Sequence, residues 1–261
     1  MFSKLLRNDL KKNMRWLWIL FVSTLVIAGI ARGCGEFSKT IGVFKVFKII
    51  FESLAYTLIA NCLIQPFLRS FLNFSKSLYS DESYLTHTLP VKKSQIINSK
   101  FLTALIEMTL AFLTVVVALI IMFAGPGTVE FIKLLISTLI IDEISVFGTL
   151  ALMVVLIIVE FYMFITTIFL SIVIAYRSRE RRVLKSFLYS AGLAFAFLIV
   201  LAGVMVIVML INEIDLLSTT LLLSKGAFLS LMSSGIIVYS LACLLCWTLT
   251  HRVFKKGVNV D

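Results

Sequence analysis

Six apolar runs dominate this sequence, at about residues 16–33, 47–69, 98–123, 147–175, 186–211 and 227–249. Each approaches or exceeds the roughly 20 residues that a helix needs to cross the hydrocarbon core of a bilayer. Inside lipid a segment has no water to satisfy its amides and carbonyls, so it must bond to itself or close into a barrel. Runs of this length without two-residue alternation point to helices. The expected fold is all-α: a polytopic membrane protein of six transmembrane helices, forming one membrane domain over residues 1–261. The low charge content agrees, at 15% of the chain against roughly a quarter in soluble domains.

The first run invites comparison with a cleaved signal peptide, because Ala28-Gly29-Ile30-Ala31 offers small residues. It is long for a signal-peptide core and is followed by further spans, so an uncleaved span is expected. Ahead of it, Phe2, Leu5, Leu6, Leu10 and Met14 recur at helical spacing, with Lys4, Arg7, Lys11, Lys12 and Arg15 between them. This pattern predicts an amphipathic helix on the cytoplasmic membrane surface, with Trp16 and Trp18 at the interface.

The formal charge of +10 is not read as a nucleic-acid footprint, since no soluble domain remains to carry a basic face. It sorts instead by side. The segments assigned to the cytoplasm hold 18 of the 24 Lys and Arg residues, including Lys76, Lys92, Lys93, Arg177, Arg181 and Lys256. Arg32, Lys39, Lys45, Lys48, Lys133 and Lys225 fall outside. This asymmetry orients the chain in the plasma membrane with both termini cytoplasmic. Residues 129–146 carry Glu130, Lys133 and Ser137 as a polar stripe and are expected as an amphipathic helix on the outer face.

Catalytic chemistry finds no foothold. There is no phosphate-cradling G-x-x-x-x-G-K-[ST], no H-E-x-x-H and no Cys/His cluster, so no catalytic or metal-binding residues and no cofactor are assigned. Cys243 and Cys246 lie in an apolar helix without further ligands and read as small buried hydrophobes. Three carboxylates do stand out within spans: Glu52, Glu107 and Glu160. An ionisable side chain at a span centre is costly and faces protein or water, marking a possible pathway for a cation or proton. Glu52 lies near a span end, where a carboxylate is unremarkable. Glu160 lies nearest mid-membrane, and for it both readings stay open.

The longest polar interruption is Leu78–Leu102. Asp81 and Glu82 suit the first turn of a short helix. Tyr79, Tyr84, Leu85 and Leu89 supply apolar anchors, and Pro90 ends the piece. Such a helix under the membrane suits a groove on a soluble partner; the plain alternative is a solvated connector. The run from Leu78-Tyr79 through Asp81-Glu82, Tyr84-Leu85 and Leu89-Pro90 to Ser99-Lys100, in a chain of six spans, resembles permease subunits of bacterial ABC exporters of the type-2 class. The resemblance implies a membrane subunit with no ATPase of its own. It implies a cytoplasmic coupling helix between spans two and three, seated on a separate ABC ATPase that carries ATP and Mg. A second permease copy or a sister permease would complete the pathway, in contact with membrane lipid and with no nucleic acid. The different-class alternatives are an ion-coupled secondary carrier using the intramembrane glutamates, and a membrane immunity or sensor protein.

Overall fold

The computed structural model describes residues 2–38, 42–79, 93–123, 130, 146–177, 181–212 and 224–255. They form six α-helices: α1 (Phe2–Phe37), α2 (Val43–Tyr79), α3 (Lys93–Phe123), α4 (Val146–Ala175), α5 (Arg182–Ile211) and α6 (Lys225–Lys255). No strand occurs among the described residues. All except α2 are long and apolar enough to cross a membrane, giving five candidate spans and the character of a multi-pass membrane protein. In α2 the apolar run is diluted by Lys45, Lys48, Glu52, Asn61 and Gln65. The chain divides into two compact units, Met1–Gly125 with α1–α3 and Pro126–Asp261 with α4–α6.

Two expectations about the first unit change. The surface helix expected over residues 1–15 is not a separate element: these residues are the opening turns of α1, a single helix of 36 residues. No proline and no glycine precede Gly29, so nothing breaks the run. Asp9 and Asn13 are buried, which holds the segment in the bundle. The second change is at the far end of α2. That helix runs through Pro66 and on to Tyr79, so the connection to α3 is shorter than the polar composition implied. At about 1.5 Å per residue, α1 and α2 (36 and 37 residues) are some 54–56 Å long, well beyond a hydrocarbon core of about 30 Å.

In the first unit α1 packs against both α2 and α3. Its buried residues Leu17, Phe21, Thr24, Ala28 and Ala31 alternate by four and three, the seam spacing of a left-handed coil. On α3 the matching seam holds Ala104, Met108, Ala111, Val115 and Ala118, all buried. Small residues let backbones approach in a medium where apolar side chains gain little from leaving lipid. Leu17, Phe21, Cys62, Ala111 and Val115 form the packed centre. Hydroxyls in this setting bond to their own helices: Thr24 to Leu20 O at 2.7 Å, Thr109 to Leu105 O at 2.7 Å and Thr114 to Leu110 O at 2.9 Å. With no water nearby, the carbonyl one turn back is the ready acceptor.

In the second unit α4 packs against α5 and α6. Met163, Tyr239 and Ala242 form the centre, with Leu156, Val159, Phe197 and Leu201 around them. Gly235 marks the tightest approach: a Cβ there would stand 3.0 Å from Leu156 Cδ1 and 3.2 Å from Met205 Cε. Helix α5 differs from its neighbours. Ser186 is its only buried residue, and Phe187, Phe195, Ile199 and Ile207 project outward. Arg181, just ahead of it, holds left-handed backbone at φ 49°. Of the stretch 129–146, only residues 130 and 146 are described, so the amphipathic helix expected there lies outside the described residues.

Candidate functional site

The polar side chains of the first unit converge where the N-termini of α1 and α3 meet the C-terminus of α2. Asp9 on α1 is the hub. Lys100 Nζ donates to its Oδ1 at 2.6 Å, and Ser99 Oγ donates to its Oδ2 at 3.0 Å. The Asp9 and Lys100 side chains are only 9% and 14% exposed, so the pair is largely withdrawn from water. One turn further along α1, Asn13 Oδ1 accepts from Asn73 Nδ2 of α2 at 2.6 Å. Three helices are thus fastened together through two adjacent layers.

The next layer holds Glu107. It occupies the α3 seam between Ala104 and Ala111, where a small or apolar residue would fill the space. It is completely buried, and neither carboxyl oxygen has a hydrogen-bond partner among the described residues. Asn13, Arg69, Asp9 and Lys100 surround it, but Asn13 closes no hydrogen bond of good geometry to it. Ser70 Oγ on α2 is likewise buried without a partner. A charged carboxylate in such a place is short of donors. The chemistry that fits is a carboxylic acid, or a carboxylate balanced by a cation.

Arg69 does not close that gap. Its guanidinium lies 5.9 Å from the ring centroid of Trp16, in cation–π geometry. The two residues form the mouth of a cleft of about 270 Å³ between α1 and α2, lined also by Leu17, Ile19, Leu20, Ser23 and Gln65.

The residues singled out from the sequence fall unevenly. Tyr79 is the half-buried last residue of α2. Asp81, Glu82, Tyr84, Leu85, Leu89 and Pro90 lie outside the described residues. Glu52 sits on the surface of α2, 3.7 Å from Lys48 one turn away; this is an ordinary i,i+4 pair. Glu160 is half-buried on α4 and meets the hydroxyl of the buried Tyr239 on α6. The three glutamates therefore have three different surroundings, and Glu107 is the one left unsatisfied. The cysteines are free thiols; Cys62 Sγ lies 3.1 Å from Thr24 Oγ1 and Cys246 Sγ 3.9 Å from Thr167 Oγ1. Among the described residues no group of three His, Cys, Asp or Glu side chains converges as a metal site would require.

Asp9, Asn13 and Asn73 were not singled out by the sequence reading. A signal was available: Asp9 and Asn13, Arg69 and Asn73, and Ser99, Thr103 and Glu107 each recur at four-residue steps, giving polar stripes on three otherwise apolar helices. The chain matches no protein-family model, no curated protein and no solved structure.

Proposed function

We propose that this chain is the membrane subunit of an ATP-driven exporter of the type-2 ABC class, worked by a separate ATPase seated beneath residues 80–92. The observation that carries this reading is how that connection is rooted. It leaves α2 at Tyr79 and returns at α3, and the ends of both helices are tied to α1 through Asn73–Asn13 and through Ser99 and Lys100 to Asp9. Ser99-Lys100 is the distal end of the stretch that resembles the family, and here it supplies two of the three bonds. A passive linker needs no buried ion pair at its base. A segment that transmits a push needs helix ends that move together.

In this reading α2 is the sixth span, both termini are cytoplasmic and the membrane is the plasma membrane. Tyr79 at the end of α2 and Asp81, Glu82, Tyr84, Leu85, Leu89 and Pro90 after it are the residues that engage the ATPase. ATP and Mg bind the ATPase. A second copy or a sister permease completes the pathway for an amphipathic peptide, lipid-like molecule or drug. The test is copurification of the ATPase and ATP-dependent transport at equal membrane abundance. Tyr84→Ala with Leu85→Ala should lose both, because interface energy concentrates in such anchors, at about 2 kcal/mol or more each. Lys39→Ala with Thr40→Ala should lose neither. Retention of ATPase and transport by the first pair would reduce residues 80–92 to a connector.

One observation favours the second reading, an ion-coupled carrier: the Glu107 carboxyl, buried and without a partner. Proteoliposomes holding this chain alone separate the two. Uptake driven by a proton or sodium gradient without ATPase, and abolished by Glu107→Gln, would establish the carrier.

A further inference from the structure

The cleft between α1 and α2 raises the question of what balances Arg69. Asp9 accepts from Ser99 and Lys100 rather than from Arg69. Glu107 feels the charge of Arg69 and yet accepts no hydrogen bond from it or from any described residue. Arg69 instead points to the cleft mouth over the Trp16 ring. Arginine has five donors and never gives up its charge, so an unpaired guanidinium beside hydrocarbon calls for an anion from outside the chain.

The cleft has the form of a site for one. No acidic side chain lines it. The mouth falls where α1 changes from its basic opening to its apolar run, the depth at which tryptophan rings meet the headgroup layer. Gln65 lies one turn from Arg69 along α2, about 6 Å, and Ser23 lies seven residues from Trp16 along α1, about 10 Å, with the apolar Ile19 and Leu20 between. A phosphate at Arg69, a glycerol ester near Gln65 one turn away and the start of an acyl chain along Ile19 and Leu20 would suit this lining. Planar guanidinium groups suit phosphate because they donate two parallel bonds to it.

We propose that this cleft binds the headgroup of an anionic phospholipid, with Arg69 on the phosphate and Trp16 stacked behind the guanidinium. The site is independent of the transport assignment and stands if the ATPase partner does not exist.

The test uses the full chain with Trp18→Phe and Trp247→Phe, so that fluorescence reports Trp16 alone. It is titrated in mild detergent with phosphatidylglycerol or phosphatidylcholine carrying bromine on the acyl chain. Expected is half-maximal quenching at about fivefold lower mole fraction for the anionic lipid, the ratio for roughly 1 kcal/mol per basic residue near an anionic surface. Arg69→Gln should abolish the preference. Arg69→Lys should keep part of it, having the charge without the fork. Arg15→Gln, next to the cleft but not lining it, should leave it nearly intact. Glycerol phosphate without acyl chains should not compete. Equal quenching by both lipids, or a preference that survives Arg69→Gln, would overturn the site. Equal losses from Arg15→Gln and Arg69→Gln would reduce it to general surface charge, and competition by soluble phosphate would reassign it to a free anion.

Discussion

Replacing Lys100 by Met removes one charge and leaves nearly all of the apolar stem in place. Asp9 then keeps its bond from Ser99 but loses its counter-ion. At 2.6 Å and an effective dielectric of about 20, the gross attraction is about 6 kcal/mol. Much of that is offset by taking both groups out of water. The relevant quantity is the cost of leaving one ion behind, about 3–5 kcal/mol for buried pairs. Both side chains retain slight exposure, at 14% and 9%, which places the expected loss at the lower end. A loss of about 3 kcal/mol raises the unfolding equilibrium constant roughly 150-fold. Asp9→Leu, which strands Lys100 instead, should cost a similar amount. The double change Asp9→Leu with Lys100→Met strands neither charge and should lie within about 1 kcal/mol of the parent, as apolar replacements of buried pairs do. The assay is reversible unfolding of the full chain in mild detergent, read as a double-mutant cycle. A coupling energy below about 0.5 kcal/mol would refute the reasoning, and the three helix ends would then be held by apolar packing alone.

Other outcomes are expected. Gly235→Leu should destabilise the second unit by about 1–3 kcal/mol through overpacking against Leu156 and Met205, while Gly235→Ala, meeting only flexible side-chain ends, should cost less; thermal unfolding distinguishes them. Arg181→Gly should be neutral or stabilising by up to about 1 kcal/mol and Arg181→Val destabilising, because the backbone there is left-handed. Glu160→Gln should leave thermal stability nearly unchanged, since an amide can still accept from Tyr239; a change in transport selectivity without loss of stability would mark Glu160 as part of the pathway. Single cysteines at positions 76, 181 and 256 should be labelled from the cytoplasm and those at 36, 127 and 215 from outside, and outside labelling at 181 would break the six-span arrangement.

The helical character of the chain was legible because lipid leaves so few alternatives to self-satisfied backbone. Element ends were less so. Asn73, Ser75 and Ser77 look like loop composition, but they continue α2, with Asn73 donating to Asn13 of α1 and Ser77 to the Phe74 carbonyl one turn back. Pairing across helices also hid the cluster itself. Asp9 drew no reading of its own and Lys100 counted as one more cytoplasmic cation; only the packing of α1 on α3 pairs them. Glu107 was visible as an intramembrane carboxylate. That it, and not Glu160, lacks a partner depends on Tyr239, which lies on a helix distant in sequence.

The separation of Asp9 from Lys100 also sets an order of events during synthesis. Asp9 is made before its counter-ion, which follows 91 residues later. At about 5–20 residues per second, α1 waits roughly 5–18 s before α3 can supply Ser99 and Lys100. For that interval Asp9 has no counter-ion, while Asn13 can already meet Asn73 of α2, made 60 residues after it. Arrival of α3 supplies Asp9 with Ser99 and Lys100. The Asp9–Lys100 bond thus marks the moment when the first three helices become one body.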